Sequence, residues 1–262
     1  SDLHRLDARQ DFAEYEQDLL INLKKLLKCL RVKKGFSDNT DLLGDFRLLP
    51  KKLSIKTKKD VPSNGHVHFS NPNRTVEHLL GHNDITPEFR VVGDFPVDTH
   101  IISALWINTV GHKFDAKLAE SCYGARLRRI RNDELFSEPK EHPFHISAIG
   151  SFAPYFKPYQ QWRSDGLKAI RSELEQGREI IAVSLDLKSF YHFIDPLALA
   201  SAGLYKEIGL DLSSDEQEFT NDLAKFLNNW AKGAGEFSKK ITSGKAIVPG
   251  GLVIGLTASR II

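Results

Sequence analysis

The sequence of 262 residues has no methionine, only two cysteines and no long apolar run. The cysteines, Cys29 and Cys122, have neither metal-ligand nor redox spacing, so we predict free thiols in a reducing cytoplasm. No stretch reaches the roughly eighteen consecutive apolar residues of a membrane span, and the N-terminal segment is too polar for a secretory signal. We expect a cytoplasmic protein without membrane contact. Since a chain of this size usually has several methionines, we also expect either a fragment or a sequence from which modified methionines are missing.

The remaining composition is that of a globular protein, with 41% hydrophobic and 27% charged residues. The net charge is +2, but its distribution is uneven. A basic cluster lies between Lys24 and Lys59, a segment that contains twelve Lys and Arg residues and only three Asp residues. A second cluster comprises Arg126, Arg128, Arg129 and Arg131. Such clusters attract a phosphate backbone. A solvated helix face followed by a basic loop remains the alternative for the first cluster.

Hydrophobic periodicity and turn residues predict a mixture of helices and strands. Helices are predicted over residues 7–32, 98–118, 162–175, 196–208 and 214–230. Strands are predicted over 88–95 and 180–185, with short pieces at 48–49 and 53–55. Otherwise residues 33–87 are predicted to be mostly loop, and residues 232–245 a loop rich in Gly, Lys and Ser.

The feature with the most chemical content is an aspartate at the end of a predicted buried strand, Asp186. A carboxylate there is costly to desolvate unless a cation or a donor meets it. Its hard oxygens suit Mg²⁺, and two such ions about 4 Å apart are the catalytic centre of polymerases. The alternative is that Asp186 only caps the following turn.

Three further segments surround this one in a fixed order. The first is Phe89–Pro96, in which an arginine precedes a proline at the end of a strand. The second is Ser121–Arg126, after a predicted helix, and the third is Pro249–Ser259. Together with the Asp186 segment, they resemble the fingers and palm motifs of reverse transcriptases from retroelements and group II introns. The resemblance covers residues 89–259.

The resemblance implies roles at the nucleotide. Arg90 would contact the triphosphate with its planar donor fork. Asp186, with the Leu187 carbonyl, would bind the metal. Tyr191 would lie under the sugar and exclude a 2′-hydroxyl. Gly255 would let the backbone approach the nucleotide. The alternatives are a surface strand residue for Arg90, a core aromatic for Tyr191 and helix packing for Gly255.

The resemblance also implies contacts to template or primer, from Gly124, Arg126 and Ser259. Departures from the family pattern lie at Val253 and Ile254, where Pro and Gln are usual. This variation is most similar to bacterial phage-defence reverse transcriptases, including the abortive-infection group and the two-polymerase type 3 systems. The Tyr-x-Asp-Asp motif that supplies the other palm carboxylates is absent from the sequence, and we expect it after residue 262.

The expected fold is therefore α+β, with reverse-transcriptase-like fingers and an antiparallel palm sheet packed by helices. The expected divisions are a helical extension (1–45), fingers with an insertion (46–178) and the first part of the palm (179–262). The expected function is RNA-directed DNA synthesis in anti-phage defence. It would use Mg²⁺ or Mn²⁺, an RNA or DNA template and deoxynucleotides, and would act on a primer or a protein side chain.

Further expected partners are a non-coding RNA and a partner reverse transcriptase, and oligomerisation is left open. Two alternatives remain: a non-catalytic nucleic-acid-binding scaffold with the polymerase fold, and an RNA-templated RNA polymerase. His66 and His68 could bind a metal, but with no third ligand in sight a solvated loop is the favoured interpretation.

Overall fold

The computed structural model describes residues 10–31, 35–55, 85–127, 152–187, 190–241, 251–252 and 254–261. Within these ranges, the chain combines helices with a two-stranded antiparallel sheet, an α+β composition. The α-helices are α1 (Gln10–Gln17), α2 (Leu19–Leu30), α3 (Val97–Trp106), α4 (His112–Lys117), α5 (Phe156–Glu175), α6 (Ala202–Ile208) and α7 (Ser214–Ile241). A π turn (Ile107–Gly111) joins α3 to α4, and 3₁₀ turns span Thr40–Leu42, Phe190–Phe193, Pro196–Ala200 and Thr257–Arg260.

The sheet pairs β1 (Asp45–Ile55) with β2 (Ile85–Asp94). Asp45 lies opposite Asp94 and Ile55 opposite Ile85, with one irregularity between Pro50 and Lys52. Proline has no N–H to donate to the ladder, which explains a break at this point. The predicted strand over 88–95 is confirmed with a longer span, and the pieces at 48–49 and 53–55 belong to one strand.

Helix α7 is the centre of the hydrophobic core. Its 28 residues extend over about 42 Å at the usual rise of an α-helix. Ser213 and Glu216 start the helix as a capping box: Oε2 of Glu216 accepts from the Ser213 N–H at 2.9 Å, and the Glu216 N–H donates to the Ser213 hydroxyl at 3.3 Å. Its fully buried apolar residues are Leu223, Ala224, Phe226, Leu227, Trp230, Ala231 and Ala234.

A buried hydrogen bond ties α3 to α7. The indole nitrogen of Trp106 donates to the Thr220 hydroxyl at 3.1 Å, and Thr220 donates in turn to the Glu216 carbonyl at 2.7 Å. Trp106 and Thr220 are both fully buried, so each polar group has its partner inside the core. The N-terminal helices join the same body, because the Tyr15 hydroxyl on α1 donates to Asp98 on α3 at 2.5 Å. Burial, followed by this hydrogen bond, raises the pKa of Tyr15.

The prediction of a loop over 232–245 is wrong for residues 232–241, which continue α7 to Ile241. The Gly, Lys and Ser content of this segment favoured a loop, yet Gly233 serves close packing. A β-carbon there would lie 2.9 Å from the Phe46 ring of β1. Phe46 is held between Trp230 and Phe237, with ring centroids 5.3 and 5.4 Å away. The glycine brings the sheet against the helix.

The prediction of a buried strand over 180–185 is also wrong. Residues 180–187 form no regular secondary structure and pair with no other strand among the described residues, and Ile181 and Leu185 are 93% and 86% exposed. The described part of 179–262 therefore shows no palm sheet. An apolar run of β-forming residues signals burial, but a strand forms only where a neighbour supplies its hydrogen bonds.

The other helix predictions are confirmed with changed boundaries. The helix predicted over 7–32 is interrupted at Asp18, and the helix predicted over 196–208 is a 3₁₀ turn followed by α6. The helix predicted over 98–118 contains the π turn. Gly177, with φ of +70°, follows α5 as expected of a helix stop.

Among the helices that the structure describes, none has both the length and the apolar character needed to traverse a bilayer. His66 and His68 lie outside the described residues, as do Arg128, Arg129 and Arg131 of the second basic cluster.

Candidate active site

The end of β2 contacts the segment around Gly255. The Gly93 N–H donates to the Ile254 carbonyl at 2.9 Å. Gly255 has φ of +118°, and a β-carbon there would lie 2.8 Å from the Gly93 carbonyl oxygen. Both the left-handed backbone and the close approach require glycine at 255. Arg90 is three residues before this contact on the same strand.

The same segment contacts the turn that carries Tyr191. The Leu252 N–H donates to the Tyr191 carbonyl at 2.6 Å. Gly251 has φ of +110°, and a β-carbon there would lie 2.4 Å from that carbonyl oxygen and 2.5 Å from the His192 carbonyl carbon. Residues 251–255 thus join the Tyr191 turn to the end of β2. Three segments predicted to share a site, carrying Arg90, Tyr191 and Gly255, meet through their backbones.

Arg90 and Tyr191 both reach solvent. Arg90 lies opposite Leu49 in the sheet, is exposed and forms no ion pair with a described residue. Tyr191 is 36% exposed and packs edge-on against Phe190, with centroids 6.0 Å apart. Tyr191 is therefore not enclosed in a core, which was its alternative interpretation.

Asp186 lies in the exposed segment 180–187, five residues before Tyr191. Its carboxylate has no hydrogen-bond or ion-pair partner among the described residues. It therefore caps no described turn, in contrast to Asp195, whose Oδ1 accepts from the Leu197 N–H at 2.9 Å. Leu187 is 67% exposed.

The described residues do not complete a metal site. They contain no group of three or more His, Cys, Asp or Glu side chains arranged to hold an ion. Asp186 supplies a single carboxylate, whereas Mg²⁺ in polymerase sites is held by several oxygen ligands. A metal site at Asp186 would therefore need ligands from outside the described part of the chain.

Arg126 is directed into the protein. Its Nε donates to Oδ1 of the buried Asp115 at 3.1 Å, and its other nitrogens donate to the carbonyls of residues 115, 119 and 122. Asp115 also accepts from the Leu127 N–H at 3.0 Å. This arrangement closes the loop after α4, where Ala125 has φ of +49°. The Arg126 donors thus bind acceptors within the fold rather than pointing outward toward a template.

The two other predicted template residues differ in exposure. Gly124 is exposed, and a β-carbon there would meet nothing within 4 Å. Ser259 is buried in the 3₁₀ turn Thr257–Arg260. That turn is fixed to α3, because the Ala258 N–H donates to the Ser103 hydroxyl at 2.8 Å. The Ser259 side chain faces the core rather than solvent.

Sequence reasoning did not identify two features. No sequence pattern pointed to Asp115, because its arginine partner lies eleven residues away at a spacing typical of neither a helix face nor a strand face. A pocket of about 350 Å³ lies between α2 and α7, with carboxylates of Asp215, Glu218 and Asp222 and the guanidinium of Arg31. Burial raises the pKa of Asp222. None of the predicted site residues lines this pocket.

Comparison with known proteins yields no relative: no protein-family model, no curated protein and no solved structure matches the chain.

Proposed function

We propose that the chain is the nucleotide-handling part of a reverse-transcriptase-type DNA polymerase that acts in anti-phage defence. The supporting observation is the meeting of three motif segments that lie far apart in the sequence. The end of β2, the Tyr191 turn and residues 251–255 are joined by the Gly93–Ile254 and Tyr191–Leu252 hydrogen bonds. The order of these motifs along the chain supports the same family.

In this proposal, Arg90 and Tyr191 bind the incoming deoxynucleotide. The exposed guanidinium is free of described ion pairs and suits phosphate oxygens as a bidentate donor. The Tyr191 ring excludes a 2′-hydroxyl by its bulk. Because Gly255 has no side chain, nothing projects from its backbone beside Gly93. Asp186 is one carboxylate for Mg²⁺, or for Mn²⁺ in its place, and the remaining ligands come from residues outside the described part. The template is RNA or DNA, with a non-coding RNA and a second polymerase as proposed partners.

Primer extension by the intact protein tests the role of Asp186. Asp186→Ala and Asp186→Asn are expected to abolish incorporation of labelled deoxynucleotide in the presence of Mg²⁺. The matched control is Asp211→Ala, which removes another exposed carboxylate that has no described partner. Retained synthesis by Asp186→Ala would show that the assignment of Asp186 is incorrect.

Competition between deoxy- and ribonucleotides tests the role of Tyr191. Tyr191→Ala is expected to relax sugar discrimination, while Tyr191→Phe keeps it, because the ring rather than the hydroxyl excludes the 2′-oxygen. Phe190→Ala is the control, since it removes the neighbouring ring. Wild-type preference for ribonucleotides would favour an RNA polymerase instead.

A non-catalytic nucleic-acid-binding scaffold is the second candidate. It is favoured by the lack of a three-ligand metal group within the described ranges, because a fold can persist without its activity. Nucleic-acid binding without synthesis, in the intact protein supplied with either metal and all nucleotides, would select this candidate.

A further inference from the structure

Helix α5 carries a row of exposed aromatic side chains. None of its 20 residues is buried. Tyr155, immediately before the helix, is 82% exposed, and Phe156, Tyr159 and Trp162 are each more than half exposed. We call these four residues the aromatic ridge. Large rings left in water are unusual on a globular surface and indicate contact with another molecule.

Helical geometry aligns the ridge. At about 100° per residue, Tyr155, Tyr159 and Trp162 lie on one face, over about 10 Å of helix axis. The Tyr159 and Trp162 ring centroids are 5.8 Å apart at an interplanar angle of 39°, and those of Tyr155 and Phe156 are 6.4 Å apart. Beyond Trp162 on the same face, Gly166 has nothing within 4 Å of its β-carbon position. The surface just beyond the ridge is therefore open.

The charge around the ridge is positive. Residues 155–164 include Lys157 and Arg163 but no acidic residue. Neither cation forms an ion pair with a described residue. The nearest carboxylate along the helix, Asp165, already accepts from the Tyr123 hydroxyl at 2.9 Å and lies 3.7 Å from Lys168. At about 100° per residue, Arg163 lies beside the ridge whereas Lys157 lies on the opposite side of the helix. Arg163 is therefore the cation available to an anionic ligand on the rings.

We propose that the aromatic ridge binds single-stranded nucleic acid, with bases stacked on the rings and phosphates contacted by Arg163. Aromatic rings interleaved with cations are the usual surface for unpaired strands, whose bases expose their π-faces. A length of about 10 Å corresponds to roughly three nucleotides at 3.4 Å each. Residues 155–164 contain no Asp or Glu, so no carboxylate in this segment repels a phosphate backbone.

This inference deepens the proposed function and rests on it for its biological meaning, because it names a surface for an unpaired template or product strand. The ridge lies on a different element from Arg90, Asp186 and Tyr191. Binding by the ridge and synthesis at the site can therefore be measured separately.

Tryptophan fluorescence provides a direct probe of the ridge. The chain has three tryptophans, and Trp106 and Trp230 are fully buried whereas Trp162 is 53% exposed. Titration of the chain with a single-stranded oligonucleotide, as DNA in one series and RNA in another, is expected to give saturable quenching. A duplex of the same sequence is expected to quench weakly, since its bases are already stacked.

Anisotropy of a labelled oligonucleotide measures the contribution of each group. Stacking on one ring contributes about 1–3 kcal/mol, so Trp162→Ala and Tyr159→Ala should each weaken binding at least fivefold. Arg163→Ala should flatten the logarithmic salt dependence by about 0.7 for one lost phosphate contact. Leu167→Ala and Leu174→Ala remove exposed aliphatic groups from the same helix and should leave affinity unchanged.

Two results would overturn the inference. One is that neither DNA nor RNA quenches the fluorescence at low salt. A self-associated species in sedimentation that Trp162→Ala abolishes would then indicate a protein interface. The other is unchanged affinity in a folded Tyr159→Ala/Trp162→Ala variant. Loss of synthesis in Asp186→Ala with intact oligonucleotide binding would support both proposals. Oligonucleotide binding without any synthesis would refute the proposed polymerase function and would still support binding by the ridge.

Discussion

Gly255 lies against the backbone of Gly93, so closely that a β-carbon at 255 would be 2.8 Å from the Gly93 carbonyl oxygen. The two residues are far apart in the sequence and belong to two of the motifs described above. Their contact holds residues 251–255 beside the strand that carries Arg90. The position tolerates no side chain without displacement of one backbone from the other.

Gly255→Ala should therefore destabilise the protein. Forcing a non-glycine residue into the left-handed region at φ of +118° costs about 1–3 kcal/mol, and the close contact adds to this cost. Urea unfolding of the wild type and the variant measures the difference. Gly124→Ala, at a position with open space around it, should change stability by less than about 0.5 kcal/mol. Equal effects of the two substitutions would contradict the described contact.

Arg126→Ala should also destabilise the protein, because it removes the ion pair to the buried Asp115 carboxylate and the hydrogen bond to the Asp115 carbonyl. Removing one partner of a fully buried pair costs about 3–5 kcal/mol, and partial exposure of Arg126 reduces this to about 2 kcal/mol. Arg171→Ala on α5, an exposed arginine without a described ion pair, is the control. A template-contacting Arg126 would instead show normal stability and weakened nucleic-acid binding.

The Lys113–Glu216 pair should make stability depend on acid pH. The hydrogen bond from Lys113 lowers the pKa of Glu216 below the 4.5 of the unfolded chain. Because the folded-state pKa is depressed, the contribution is complete above about pH 4.5 and is lost as the pH falls through the folded value. Glu216→Gln should therefore be less stable than wild type at pH 7, and the difference should disappear in acid.

Thermal unfolding at several pH values measures this dependence. Glu207→Gln removes an exposed glutamate of α6 that has no described ion pair, and it should follow the wild-type profile. A Glu216→Gln difference that stays constant from pH 7 to pH 3 would show that the pair contributes by packing rather than by charge.

Val183→Asn should have little effect on stability, since the side chain is 73% exposed in an unpaired segment. Val91→Asn, in the core on β2, should reduce stability by more than about 2 kcal/mol because it buries an amide without a partner. Comparable losses at the two positions would mean that residues 180–187 are packed against another part of the protein in solution.

Local patterns located the helices and β2, although not all of their boundaries. The start of α7 at Ser214 follows from the Ser213–Glu216 capping box, and Gly177 marks the end of α5 through its left-handed backbone. The end of α7 was not predictable, because Gly233 is required by the distant Phe46 ring. A glycine that makes room for another element has the same local signature as one that ends a helix.

The candidate site was predictable in part. The order of motifs predicted that the Arg90, Tyr191 and Gly255 segments share a site, and their backbones meet. The orientation of Arg126 was not predictable, because its partner Asp115 lies on a separate element. The exposure of residues 180–185 was also not predictable, since an apolar run of β-forming residues does not show whether another strand covers it.

The different environments of α5 and α7 have a consequence for amide hydrogen exchange. Most residues of α7 between 223 and 231 are buried in the core, so the amide hydrogens of this stretch should exchange only when the whole protein unfolds. Helix α5 buries no side chain, and its amides should exchange through local fraying at rates orders of magnitude faster. A ligand that settles on its rings would slow those amides selectively and leave the α7 amides unaffected.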